Sequence, residues 1–281
     1  MRARERSGGG AARPVPQLSI TYREVAGRTI RVGVRGGDGS MARPLLLFNG
    51  IGANIELVAP FLDALPGPDI IVFDVPGVGG SPTPTLPYRP RALAGLADEL
   101  LDQLGHGQAD VLGVSWGGIP AQQFAFQFPD RCRHLILAAT TAGHVMVPAH
   151  PQVLLKWAMP RQFRQRGYMK SIAGELYGGA LRKAPERAHE LLRHVRWRSD
   201  YGYYLQLFAT FGWTSLFWLP LLPQRTLVMA GRDDPLVPTL NGHILAGLIR
   251  DARLVLLDDG HLFILTSPVE TARHVTEFLA G

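Results

Sequence analysis

The chain has 281 residues, 46% hydrophobic and 19% charged, enough apolar surface for one large α/β domain or a core domain with an inserted subdomain. No apolar run reaches the roughly 18 residues of a membrane-spanning helix, and the net charge of +6 accompanies no nucleic-acid motif, so neither membrane insertion nor nucleic acid is expected. The single cysteine, Cys132, excludes an intramolecular disulfide and fits a reducing cytoplasm.

Residues 1–17, beginning Met1-Arg-Ala-Arg-Glu-Arg-Ser-Gly-Gly-Gly10, lack the apolar stretch of a secretory signal and read as a disordered basic arm. Leu18–Tyr22 and Thr29–Val34 alternate apolar and polar around Gly27, which predicts an antiparallel hairpin at a sheet edge. Pro44–Phe48 is a continuous apolar run, typical of a buried parallel strand. The turn Asn49-Gly-Ile-Gly52 follows, then a helical segment from Ile55 to Leu65. Asp69–Phe73 is the next strand; Asp74-Val-Pro-Gly-Val-Gly-Gly-Ser81 is the turn after it, and Arg89–Leu104 is a helix. Gly77-Val-Gly-Gly80 has the look of a phosphate loop, but Pro82 occupies the place of the last glycine, so that role is rejected.

Ala109–Val114 reads as a strand that ends in Gly113-x-Ser115-x-Gly117, with a helix from Ile119 to Phe128 immediately after it. Strand, sharp turn and helix are the context a nucleophile elbow requires. The strained turn projects the serine hydroxyl, and flanking glycines let strand and helix pass without Cβ clashes. Arg133–Ala139 is a further strand, and Cys132 before it reads as structural. Strands alternating with helices predict a parallel sheet with right-handed crossovers.

From Gly143 to Pro223 the alternation stops. Helix-compatible pieces, broken by Pro148, Pro151, Pro160, Gly174 and Gly178-Gly179, predict a helical cap over 143–223, with 18–142 and 224–281 forming the core. Four of the five tryptophans fall here (Trp157, Trp197, Trp213, Trp218), beside Tyr201, Tyr203, Tyr204, Phe208, Phe211 and Phe217. More than half of these aromatics are expected to be buried in packing. Trp157, Trp197, Tyr203, Phe208 and Trp213 are the candidates for contact with substrate, Trp157 and Trp197 first among those exposed. Thr226–Ala230 and Arg253–Leu257 resume the strand pattern, with helices over Thr239–Ile249 and Pro268–Leu279.

A serine hydroxyl needs a base to take its proton, and the base an acid to hold its tautomer. Loops at two consecutive strand ends supply both, Gly231-Arg-Asp-Asp-Pro235 and Asp258-Asp-Gly-His261. His261 is the candidate base. Asp234 is the candidate acid, three residues after the loop glycine, with Asp233 the alternative. The order Ser…Asp…His is that of the α/β-hydrolases. The oxyanion is assigned to the backbone N–H groups of Trp116 and Ile51. No pair of histidines has convincing metal spacing; His144 and His150 read as surface or cap residues, and neither metal nor other cofactor is expected.

Phe48-Asn-Gly-Ile-Gly-Ala-Asn54, Asp74-Val-Pro-Gly-Val-Gly-Gly-Ser81, Gly113-Val-Ser-Trp-Gly-Gly118 and Asp258-Asp-Gly-His-Leu-Phe263 together resemble the intracellular medium-chain-length polyhydroxyalkanoate depolymerases. So do Gly202-Tyr-Tyr-Leu-Gln-Leu-Phe208 and Gly212-Trp-Thr-Ser215 in the helical segment. The resemblance implies an α/β-hydrolase fold, with a mostly parallel eight-stranded sheet and an inserted helical cap. It also implies hydrolysis of stored (R)-3-hydroxyalkanoate polymer at cytoplasmic granule surfaces by Ser115, Asp234 and His261. Synthases of related fold carry cysteine at the elbow, and serine here favours cleavage. The alternatives are an esterase, lactonase or thioesterase for small soluble substrates, and a non-catalytic granule-binding protein. Arg161, Arg164, Arg166, Arg193, Arg196 and Arg198 are expected to meet an anionic granule coat.

Overall fold

Short, wholly apolar strands are satisfied only where both faces of a sheet are covered. The computed structural model describes residues 17–159, 165–191 and 193–281; all of the basic arm but Gln17, with Pro160, Arg161 and Arg164, lies outside them, as does the side chain of Arg166. Strands β1 (Ser19–Val25) and β2 (Arg28–Arg35) form the antiparallel hairpin. There follow β3 (Leu45–Phe48), helix α1 (Ala59–Asp63), β4 (Ile70–Phe73), α2 (Pro90–Gln103), β5 (Ala109–Val114), α3 (Gly118–Gln127) and β6 (Cys132–Ala138). The segment 143–223 then carries α4 (Pro151–Ala158), α5 (Arg166–Tyr177), α6 (Gly179–Lys183), α7 (Arg187–Leu191) and α8 (Asp200–Thr210). The chain closes with β7 (Arg225–Gly231), α9 (Leu240–Leu248), β8 (Ala252–Leu257), α10 (Phe263–Thr266) and α11 (Pro268–Ala280).

The sheet has eight strands in the order β1-β2-β4-β3-β5-β6-β7-β8. β2 meets β4 antiparallel, and every pair from β4 to β8 is parallel. Successive residues of the central strands serve opposite faces. Leu46, Phe48, Ile71 and Phe73 join a core with Leu93, Leu100 and Phe124 of α2 and α3. Leu45, Leu47, Ile70 and Val72 join a second core with Phe61, Val275 and Phe278 of α1 and α11. Each such side chain contributes about 1.5–3 kcal/mol by leaving water, so the parallel strand ends that carry the loops of interest stand on a stiff base.

Three local expectations change. The helix over Ile55–Leu65 divides into a 3₁₀ turn, Ile55–Val58, and the short α1, because Pro60 suits only a helix's first turn. Pro151 likewise opens α4 rather than breaking a helix, and Gly174 lies inside α5. Of the ten aromatics named above in 143–223, only Tyr203 is buried; Tyr201, Tyr204, Phe208, Phe211 and Phe217 are exposed and the four tryptophans half-buried. Burial of most of them is therefore overturned.

Candidate active site

Ser115 follows β5 at φ +53, in the left-handed region a non-glycine residue enters at a cost of about 1–3 kcal/mol. The turn is over-determined. A Cβ on Gly113 would lie 2.6 Å from that of Ala121, so α3 packs against β5 only with glycine there, and one on Gly117 would lie 2.1 Å from the Phe48 carbonyl oxygen, so the turn passes the end of β3 only with glycine there. The Thr140 hydroxyl donates to the Ser115 carbonyl at 2.7 Å and fixes it from the end of β6.

The structure brings the three predicted side chains into one line. Ser115 Oγ lies 2.9 Å from His261 Nε2, and His261 Nδ1 lies 2.8 Å from Asp234 Oδ2. His261 and Asp234 are buried and Ser115 is half-buried. The other Asp234 oxygen, Oδ1, accepts the N–H groups of Leu236 at 2.9 Å and Val237 at 2.8 Å. Asp233 turns outward instead. It accepts Arg182 through both oxygens and the Gly179 N–H, and the Arg182 hydrogen bond holds its carboxyl below the usual range. The His261 N–H donates to the Tyr177 carbonyl at 2.7 Å, and the Tyr177 ring stacks on the imidazole at 6.2 Å.

The loop Asn49–Ala53 leaves one candidate donor open. The Gly50 N–H donates to the Asn49 side chain, the Gly52 N–H to Gln206 Oε1, and the Ala53 N–H to the Gly50 carbonyl. The Ile51 N–H and the Trp116 N–H have no acceptor among the described residues, and both residues line cavities that also hold Ser115. Nearby, Arg31 joins β2 to Glu56 and Asp74, and Asp74 accepts the Ile55 and Gly80 N–H groups. The Gly77–Gly80 turn thus wraps a carboxylate. Burial pushes the Glu56 carboxyl up, but hydrogen bonds from Arg31 and Asn54 outweigh it and lower the pKa to about 2.

Two cavities meet at Ser115. The larger, about 270 Å³, is walled by Ile119, Met146, Leu154, Trp157, Leu207 and Phe211. The smaller, about 60 Å³, lies between the Asn49–Ile51 loop, Tyr177 and His261, and Trp157 borders both. Of the five candidate aromatics, only Trp157 lines these cavities. Tyr203 is instead 1% exposed in the core, where its hydroxyl donates to the Trp157 carbonyl. Trp197 packs on Tyr203 and its indole donates to Asp200, so it is no exposed contact. Trp213 donates to Gln123 and meets Trp218, and Phe208 faces outward. Arg196 pairs with Glu56 at 3.2 Å. Gln206 and Tyr177 were not anticipated; a polar residue and a lone tyrosine in a helical stretch carry no signal of what they will meet.

Among the described residues no group of three or more His, Cys, Asp or Glu side chains could hold a metal ion, and no helix is long and apolar enough to cross a membrane. Residues 43–268 match the family model of the alpha/beta hydrolase fold. The chain is 51% identical over 267 residues to the poly(3-hydroxyalkanoate) depolymerase of Ectopseudomonas oleovorans, which spans 95% of this chain and 94% of that one. It is 28% identical over 249 residues to 3-oxoadipate enol-lactonase 2 of Acinetobacter baylyi (strain ATCC 33305 / BD413 / ADP1), covering 85% and 89% respectively. The crystal structure of the enol-lactonase from Burkholderia xenovorans LB400 has the same fold, with TM-score 0.78 at 23% identity over 93% of this chain and 100% of that one. The chain belongs to the α/β-hydrolase family and, within it, to the family of the poly(3-hydroxyalkanoate) depolymerase it matches along nearly its whole length.

Proposed function

We propose that this protein is a serine esterase that hydrolyses the ester bonds of intracellular medium-chain-length poly(3-hydroxyalkanoate), releasing 3-hydroxyalkanoic acids or oligomers. The observation that carries the reading is the unbroken line Ser115–His261–Asp234 in a chain 51% identical to a depolymerase. His261 Nε2 takes the hydroxyl proton as Ser115 Oγ bonds to the ester carbonyl carbon. The oxyanion that forms is held by the Ile51 and Trp116 N–H groups, and Asp234 stabilises the imidazolium. The tetrahedral adduct then collapses, the C–O bond to the leaving chain breaks, and His261 delivers its proton to the departing hydroxyl oxygen. Water, deprotonated by the same imidazole, releases the acid from the acyl-enzyme.

The segment 143–223 serves in this reading as the cap, and its outer surface favours polymer over small esters. Tyr201, Tyr204 and Phe208 recur along one side of α8 at 51%, 48% and 54% exposure, and Phe211 follows at 65%. Phe211 also lines the larger cavity, so the apolar strip leads to the mouth of the site. An enzyme for small soluble esters needs a closed pocket and no such strip. The strip would rest on the storage granule in the cytoplasm. The test sets amorphous medium-chain polymer beside short-chain polymer and p-nitrophenyl octanoate. Release of 3-hydroxy acids from medium-chain polymer is expected. Cleavage of the soluble ester alone would favour the esterase or lactonase reading, and no labelling by a fluorophosphonate would favour a binding protein.

A further inference from the structure

We infer that Gln206 is a positioning residue that sets both oxyanion donors from the helical segment; the inference rests on the esterase reading above. Gln206 lies on α8, 0% exposed, far from Ser115 in sequence. It makes two contacts, each with one arm of the oxyanion site. Its side-chain oxygen Oε1 accepts the Gly52 N–H at 2.8 Å. Its backbone carbonyl accepts the Trp116 indole Nε1–H at 2.8 Å.

The first contact fixes the peptide plane between Ile51 and Gly52. The plane before it, which carries the Ile51 N–H, is fixed in turn by the Ala53 N–H on the Gly50 carbonyl at 3.2 Å. Two adjacent planes are thus held, and the Ile51 N–H has one direction. The second contact seats the ring of the residue whose own N–H is the other donor. One side chain and one carbonyl on α8 therefore tie the turn after β3 to the turn after β5.

A stability role explains Gln206 poorly. Its Nε2 is buried with no hydrogen-bond partner among the described residues, and a buried orphan donor destabilises a fold. The amide cannot turn over to relieve this, because Nε2 would then face the Gly52 N–H, donor against donor. The residue keeps a costly group because its oxygen is needed at Gly52.

The test compares Gln206→Met, which keeps length and loses the acceptor, with Gln206→Glu, which keeps an oxygen for Gly52. Activity on p-nitrophenyl octanoate and inhibition by an alkyl boronic acid, whose tetrahedral adduct mimics the oxyanion, are read together with thermal unfolding. Deleting an oxyanion donor outright lowers kcat by about 100- to 1000-fold; misdirecting one should lower it about 10- to 100-fold. Gln206→Met is expected to show that loss in kcat with KM little changed, a parallel loss of boronate affinity, and an unfolding midpoint close to wild type, because the orphan Nε2 it removes offsets the Gly52 N–H it leaves unpaired. Gln206→Glu should regain most of the loss. Should Gln206→Met fail to fold, Trp116→Phe breaks the other contact and is expected to give the same paired loss. A folded Gln206→Met enzyme with kcat within twofold of wild type, or loss of kcat with boronate affinity intact, overturns the inference. Ser115→Ala separates the two levels: activity surviving in that variant would overturn the esterase reading itself.

Discussion

Exchanging Asp234 for asparagine should inactivate the enzyme by a route that the local hydrogen bonds dictate. Oδ1 of Asp234 accepts two backbone N–H groups, from Leu236 and Val237, and Oδ2 faces His261 Nδ1. In Asp234→Asn only the amide oxygen can occupy the Oδ1 position, since an NH₂ there would confront two donors. The NH₂ is then forced toward His261, Nδ1 becomes the acceptor, and the proton moves to Nε2. Ser115 Oγ, 2.9 Å away, meets an N–H where it needs a base. The loss should be about 10³–10⁴-fold in kcat, roughly 4–5.5 kcal/mol of transition-state stabilisation. Asp233→Asn instead weakens a half-exposed ion pair with Arg182, worth about 0–1 kcal/mol, and should leave kcat within about threefold. Steady-state kinetics on p-nitrophenyl octanoate decide it, with circular dichroism to verify folding. Asp234→Asn retaining a tenth of wild-type kcat, or Asp233→Asn proving the worse variant, would refute the tautomer argument.

Ser115→Ala should leave the fold intact and bring ester hydrolysis below roughly a thousandth of wild type; a higher residual rate, measured with the variant purified free of host esterases, would remove Ser115 from its role. Tyr204→Ala combined with Phe208→Ala should lower activity on granules about 30- to 900-fold, from about 1–2 kcal/mol of apolar contact per ring, and spare p-nitrophenyl octanoate. Equal loss on both substrates would sink surface docking by α8. Glu56→Gln tests the Arg31 network through pH. The Arg31 and Asn54 hydrogen bonds lower the Glu56 pKa to about 2 from an ordinary carboxylate value near 4.5, so its stabilisation is complete above about pH 4.5 and fades as pH falls toward 2. Urea unfolding should find the variant less stable by about 2–3 kcal/mol at pH 7, after discounting for partial exposure, with the gap closing near pH 2. A gap unchanged by pH would mean that Glu56 acts by packing.

The core of the fold and the polar line at Ser115 were legible because their constraints are local. A parallel strand covered on both faces must be apolar at consecutive positions, and Leu45–Phe48 and Ile70–Phe73 are. A turn that exposes a serine between crossing backbones must have glycine where no Cβ fits, and Gly113 and Gly117 meet that condition. The choice between Asp233 and Asp234 was less legible, since adjacent carboxylates on one loop differ only in which way the chain turns. Arg182 and Gly179, more than fifty positions earlier, take the outward one. What α4 to α8 touch was not legible at all, because their contacts join residues far apart in sequence. The Gly52–Gln206 bond and the Gly179–Asp233 bond leave no periodic trace.

Helix α8 shows why hydrophobicity misplaced the aromatics. An amphipathic helix ordinarily turns its large apolar side chains inward. Here Gly202, Gln206 and Ala209 join Tyr203 and Leu205 on the buried side, while Tyr201, Tyr204 and Phe208 face out. Two physical demands invert the pattern. The inward side must let backbones meet, since a Cβ on Gly202 would stand 2.0 Å from the Gly77 carbonyl oxygen, and it must present an amide oxygen to Gly52. Neither demand can be met by a bulky apolar residue. The outward rings find no such compulsion within the chain, and water is a poor neighbour for them. Local rules are broken in this way chiefly where function compensates for the loss. One helix therefore carries both halves of the proposed activity: the face that sets the oxyanion donors, and the face that meets the polymer those donors help to cleave.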